Sequence, residues 1–256
     1  MTKHLVIFNW KMYLAGLAEE LALTKKILTA TKTGKFNSTC DLVICPQLLN
    51  VASLSVLLKK SRSKISLAAQ DVSSEISGAF TGEVSASAVA EAGATYVLIG
   101  HSERRELFAE DNRTVAKKFQ AVINIDGGEL VPIICIGETL KEKNKGITHR
   151  VIREQLNSVF SDISKKWAGS FVVAYEPRWA IGSGESASVK DWHSARAVIY
   201  KTLSEHFDEK VIDKRARVLY GGSVTSQNWR NFLTDNGGVL VGSASTNWRQ
   251  VSGFLL

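Results

Sequence analysis

Glu176 directly follows the apolar run Phe171–Tyr175 and precedes Pro177. An acid in that place can simply open a surface helix. The stretch behind it, Pro177-Arg178-Trp179-Ala180-Ile181-Gly182-Ser183-Gly184, has no strong helical pattern. It joins a rigid start, an apolar middle and a Gly-x-Gly end, the composition of a hinged lid. A lid that closes apolar side chains over a carboxylate excludes water and raises its basicity. General-base chemistry is therefore the expectation at Glu176.

Two other groups invite the same question. His101 follows Gly100 and opens Ser102-Glu103-Arg104, a helix start by its pattern. The positive end of a helix dipole disfavours an imidazolium, so a neutral, hydrogen-bonding histidine is expected there. Lys11 lies just past an apolar run and reads equally as a fixed cation, a Schiff-base former or a surface lysine. Two turns rich in small residues, Tyr220-Gly221-Gly222-Ser223 and Val241-Gly242-Ser243-Ala244, suit a phosphate. Glycine lets backbone N–H groups approach an anion closely. One such turn would read as a strand terminator; two in adjacent units favour phosphate.

These residues are brought together only if the elements before them are strands. Eight short apolar runs recur along the chain: Leu5–Phe8, Leu42–Cys45, Ile65–Ala69, Tyr96–Ile99, Val131–Ile136, Phe171–Tyr175, Arg217–Tyr220 and Val239–Val241. Most are near-continuous, as strands covered on both faces are. Segments of helical period separate them, including Glu19 to Ala30, Thr114 to Ile125, His149 to Trp167, Ser194 to Phe207 and Gln227 to Leu233. Repeated strand and helix imply parallel strands with right-handed crossovers. Eight units in 256 residues predict an α/β fold, a single (β/α)8 TIM barrel formed as one domain by residues 1–256, with an open doubly wound sheet as the alternative. In either fold the active site belongs at the carboxyl ends of the strands. Asn9 and Lys11, Gln70 and Asp71, His101 to Glu103, Glu176, Gly221 to Ser223 and Gly242-Ser243 all stand there.

Composition narrows the function classes. The net charge of +7 would help steer an anionic metabolite, but basic and acidic residues interleave without a basic run carrying aromatics. Nucleic acid is thus not an expected partner. Three cysteines without C-x-x-C spacing argue against a disulfide framework or zinc site, and no metal is expected. No stretch is apolar enough for a signal peptide or a bilayer span, which points to the cytoplasm and no membrane partner.

Several motifs, in order, make the chain similar to the triosephosphate isomerase family over essentially its whole length. They are Asn9-Trp10-Lys11-Met12, Gly78-Ala79-Phe80-Thr81-Gly82-Glu83, Gly100-His101-Ser102-Glu103-Arg104-Arg105, Cys135-Ile136-Gly137-Glu138-Thr139 and Ala174-Tyr175-Glu176-Pro177 with Trp179-Ala180-Ile181-Gly182. The resemblance implies interconversion of dihydroxyacetone phosphate and D-glyceraldehyde 3-phosphate through an enediolate, in glycolysis and gluconeogenesis, with no cofactor. It implies Glu176 as base, His101 as electrophile and proton shuttle, Lys11 and Asn9 beside the developing oxyanion, and Glu103 behind Lys11. It further implies phosphate held by N–H groups of Gly182, Ser223, Gly242 and Ser243, with the Ser223 hydroxyl helping. Pro177, Trp179 and Ile181 would belong to the lid, with Ile181 and Leu240 closing over the base. A homodimer is implied, the loop around Thr81 and Glu83 reaching the partner's Asn9–Lys11 site.

The chain departs from the family pattern at named places. Ser243 replaces a glycine, Arg178 an aliphatic residue, Ser183 a threonine, Glu185 a lysine, Tyr13 an asparagine and Asp71 an asparagine. A side chain at 243 is expected to crowd the phosphate, or to strain the backbone if φ is positive, so that Ser243→Gly would lower KM. Two rivals remain: a Schiff-base aldolase using Lys11 as nucleophile, and a non-catalytic phosphate-binding barrel.

Overall fold

The protein is described by a computed structural model covering residues 3–33, 36–125, 130–164, 167, 169–182 and 184–256. Among the described residues the eight apolar runs form eight parallel strands. They are β1 (His4–Asn9), β2 (Cys40–Cys45), β3 (Ser66–Ala69), β4 (Tyr96–Ile99), β5 (Val131–Ile136), β6 (Phe171–Tyr175), β7 (Ala216–Tyr220) and β8 (Gly237–Val241). Each pairs with its sequence neighbours, and β1 pairs with β8, so the sheet closes into a barrel rather than staying open.

Closure explains the near-continuous apolar runs. Alternate residues, including Leu5, Ile7, Val43, Leu98, Ile133, Val172 and Leu219, fill the barrel interior as one buried cluster. The residues between them, such as Val6, Phe8, Ile44, Val97, Ile134 and Val173, join a second cluster beneath the helices. Both faces of each strand are thus buried, which removes the polar alternation of a one-sided sheet. Gly238 permits the closing seam: a Cβ there would lie 1.8 Å from the Leu5 carbonyl oxygen.

The helices follow the sequence pattern with two corrections. The segment expected to run to Trp167 ends as a helix at Phe160. Trp167 instead packs edge-on against Phe119 and beside Phe171 and Phe207 in an aromatic cluster. The segment 227–233 forms only a 3-10 turn, Trp229–Phe232, which buries Trp229 and Phe232. No helix among the described residues is long and apolar enough to cross a membrane.

Candidate active site

A cavity of about 230 Å³ opens at the carboxyl ends of the strands. Asn9, Lys11, His101, Glu176, Ile181, Gly182, Ser223, Leu240, Gly242 and Ser243 line it. The volume suits a small metabolite rather than a drug-sized ligand. Residues expected to act together from five different strand ends, those of β1, β4, β6, β7 and β8, therefore share one space.

Glu176 leaves β6 buried, 2% exposed. Its Oε1 lies 3.2 Å from His101 Nε2, and its Oε2 accepts the Ser102 backbone N–H at 3.2 Å. Gly221 makes room for it, because a Cβ at that position would stand 2.9 Å from Glu176 Cγ. His101 caps the helix Ser102–Leu107, its Nδ1 accepting the Glu103 N–H at 3.3 Å. With Nδ1 an acceptor, the ring proton sits on Nε2 and faces the Glu176 carboxylate. Burial disfavours charge on both partners. The attraction between them outweighs it, raising His101 above the ordinary histidine range and lowering Glu176 below the ordinary carboxylate range. The expected influence of the helix start is thus subordinate to Glu176 in this geometry.

Lys11 is held in an unusual backbone conformation, with φ 48°. Its N–H donates to Asn9 Oδ1 at 3.0 Å, and its carbonyl accepts Gln70 Nε2–H at 2.8 Å. Its ammonium meets Glu103 Oε1 at 2.5 Å. A paired ammonium is a fixed charge rather than a free nucleophilic amine, which counts against the aldolase rival. Gly242 lies alongside the lysine: a Cβ there would make an ordinary contact with Lys11 Cε at 3.6 Å.

The segment after Glu176 is anchored at both ends. A 3-10 turn, Arg178–Ala180, follows Pro177. Glu138, buried at the end of β5, accepts the Trp179 indole N–H at 2.8 Å and the Tyr175 hydroxyl at 3.0 Å, and its carbonyl accepts the Arg178 N–H. At the far end the Ala187 N–H donates to the Tyr220 hydroxyl at 2.7 Å. Between these anchors Gly182 and Gly184 take φ of 69° and 80°, which glycine adopts freely. Ser183 lies outside the described residues.

Sequence reasoning assigned no role to Gln70, Ser102, Glu138 or Tyr220. Strand-end position pointed to Gln70, and motif position to Glu138; their partners were not legible. The departures acquire neighbours too. Asp71 joins Lys118, at 2.7 Å, and Arg104, at 2.9 Å, in a network with Glu110 behind the His101 helix. The Arg178 guanidinium lies 3.5 Å from Glu106, on that same helix. Tyr13 and Glu185 are exposed, Tyr13 at the cavity mouth. Ser243 does not take positive φ, so the strain expected of a side chain there does not arise. The Ser223 hydroxyl donates to the Ala180 carbonyl at 2.5 Å.

The loop expected to carry dimer contacts is closed at its base by Ser73 N–H to the Val84 carbonyl, and residues 76–83 project as an exposed segment containing Thr81 and Glu83. Among the described residues no group of three or more His, Cys, Asp or Glu side chains is arranged to hold a metal ion.

A closed (β/α)8 barrel that gathers a buried carboxylate, an imidazole and an ammonium around one small cavity is the architecture of a barrel enzyme of the acid–base class. The family model described as Triosephosphate isomerase matches residues 4–255. The chain is 38% identical over 247 residues to the triosephosphate isomerase of Dictyoglomus thermophilum, covering 96% of this chain and 95% of that protein. It is 40% identical to that of Dechloromonas aromatica, covering 96% and 94%, and 38% identical to that of Mycobacterium avium, covering 97% and 94%. The chain belongs to the triosephosphate isomerase family, and it is an isomerase.

Proposed function

We propose that, in the interconversion of dihydroxyacetone phosphate and D-glyceraldehyde 3-phosphate, Glu176 is the base that moves the proton between the two adjacent carbons. The observation that carries this reading is the 3.2 Å approach of Glu176 to His101 inside the cavity that Lys11 also lines. Glu176 is ionised, buried and held by two hydrogen bonds it can exchange for contact with substrate, and Gly221 leaves room for that movement.

His101, donating from Nε2, polarises the carbonyl and passes protons between the two oxygens of the enediolate. Lys11 and Asn9 stabilise the negative charge that develops there; removing one such donor costs roughly 10²–10³ in rate. Glu103 holds the ammonium. Backbone N–H groups of Gly182, Ser223, Gly242 and Ser243 receive the phosphate. The lid residues Pro177, Trp179 and Ile181, with Leu240, shut water from the enediolate and keep its phosphate attached. Nothing in this scheme calls on a metal or an organic cofactor. Residues 1–256 act as one catalytic domain, in the cytoplasm, within glycolysis and gluconeogenesis.

The active form is a homodimer. Met12 is 85% exposed beside Lys11, and Tyr13, Ile76, Phe80 and Phe108 are also large exposed apolar or aromatic side chains. Thr81 and Glu83 lie on the projecting loop among them. Surfaces of this kind are covered by partners. The test of the whole reading is a coupled isomerase assay of wild type and Glu176→Gln. Wild-type turnover with a loss of several orders of magnitude in the mutant is expected; equal turnover would refute the assigned base.

A further inference from the structure

Two serines, Ser223 and Ser243, line the cavity in the turns after β7 and β8, and they are not equivalent. Ser223 Oγ is committed: it donates to the Ala180 carbonyl at 2.5 Å and so ties the turn after β7 to the lid. A hydroxyl has one proton, and a phosphate dianion offers only acceptors. To serve the phosphate, Ser223 Oγ would have to release the lid. Ser243 is different. It lines the same cavity, its backbone carbonyl accepts the Thr246 N–H, and among the described residues its hydroxyl has no hydrogen-bond partner. Its backbone is unstrained, so nothing local explains a polar side chain there.

The neighbourhood also carries the right charge. Lys11 Nζ stands 3.8 Å from where a Cβ on Gly242 would be, so the ammonium lies against the wall that Gly242 and Ser243 form. An anion seated on that wall has the Lys11 ammonium and the exposed Ser243 side chain in the same cavity. Ser245, two residues on, cannot substitute, because its hydroxyl donates to the Gly242 carbonyl at 2.6 Å.

We infer that Ser243 is a specificity-determining residue whose hydroxyl donates a side-chain hydrogen bond to the substrate's phosphate, while the Ser223 hydroxyl serves the lid. This inference rests on the proposed function and reverses two expectations from the sequence: Ser223 as the helping hydroxyl, and Ser243 as an obstacle. A neutral donor to a charged acceptor contributes roughly a tenfold effect on binding.

The experiment pairs calorimetry with kinetics on the full chain. Inorganic phosphate is titrated into wild type, Ser243→Ala and Ser243→Gly, and turnover is measured with D-glyceraldehyde 3-phosphate and with phosphate-free D-glyceraldehyde. Both variants are expected to bind inorganic phosphate about tenfold more weakly, and the ratio of kcat/KM for the phosphorylated over the phosphate-free substrate is expected to fall about tenfold. Affinity and ratio equal to or above wild type in Ser243→Ala would overturn the inference, as would a wild type that binds no phosphate. The two readings fail separately. A wild type without isomerase activity that still binds phosphate through Ser243 sinks the proposed reaction alone, and an active enzyme indifferent to Ser243 sinks only this inference.

Discussion

Gln70 Nε2 donates to the carbonyl oxygen of Lys11 at 2.8 Å, joining the end of β3 to the second residue after β1. Lys11 has φ 48°, a conformation that costs a non-glycine residue of order 1–3 kcal/mol and persists only where its surroundings impose it. Asn9 holds the N–H of Lys11 and Gln70 holds the carbonyl. Gln70→Ala is expected to lower stability by about 1 kcal/mol and kcat/KM by roughly tenfold or more, because the ammonium is no longer aimed. Denaturant unfolding and steady-state kinetics check both. Unchanged kinetics in the variant would show that Lys11 keeps its conformation without Gln70.

Gly221→Ala tests how closely Glu176, the proposed base, is placed. The new methyl would stand 2.9 Å from Glu176 Cγ, so the carboxylate must move. A displacement near 1 Å costs about 10²-fold. The loss should fall mainly on kcat, with KM changing little. A drop confined to KM would place the defect in binding instead.

The coupling of Glu176 and His101 makes a signed prediction. Burial lowers the His101 pKa and the Glu176 carboxylate raises it, with the carboxylate prevailing. In Glu176→Gln only burial and the ordinary neighbours remain, so the His101 pKa should drop from its raised position toward or below 6.5. A nitrogen-15 NMR titration of the imidazole reads this directly. The same pairing lowers Glu176, so the acid limb of kcat/KM in wild type reflects the pair rather than either residue. A His101 pKa that stays raised in the mutant would disprove the coupling.

Glu20 gives a stability prediction remote from the site. Its carboxylate is wholly buried, accepting the Gln47 N–H at 3.0 Å and Asn50 Nδ2–H at 2.9 Å. Burial raises its pKa above the ordinary 4.5 despite those bonds. The folded chain therefore holds this proton more tightly than the unfolded chain. Its contribution to stability is full below pH 4.5 and declines as pH rises through the raised value. Glu20→Gln should become progressively more favourable relative to wild type as pH is raised across that window, read as the difference in Tm. A constant difference would rule out an ionisable Glu20.

The barrel was legible because a doubly buried strand has no choice but to be apolar throughout, as Phe171–Tyr175 shows. The centre of the site was legible because Glu176, His101 and Lys11 stand at strand ends, where a barrel opens. Partners distant in sequence were not. Nothing near Asp71 announces Lys118, 47 residues on, as the reason a carboxylate is accommodated there. Trp179 does not reveal that it hangs from Glu138. The helical period running past Phe160 to Trp167 reflected aromatic packing against Phe171, which apolar spacing cannot distinguish from a longer helix. That the Ser223 hydroxyl meets the Ala180 carbonyl was not legible either, because hydrogen-bond commitment is a property of geometry, not of residue type.

The seam between β1 and β8 has a consequence for biogenesis. Leu5 faces Gly238 and Phe8 faces Val241, so the first strand finds one of its two neighbours only in β8, the last of the eight strands to be made. During synthesis, β1 to β7 can emerge and pair while the ribosome still holds β8. Such a nascent chain exposes two open strand edges and lacks the Gly242–Ser243 wall beside Lys11. The barrel and its cavity are therefore completed only when β8 pairs with β1, and until then the open edges of β1 and β7 are what a chaperone or another unfinished chain would meet.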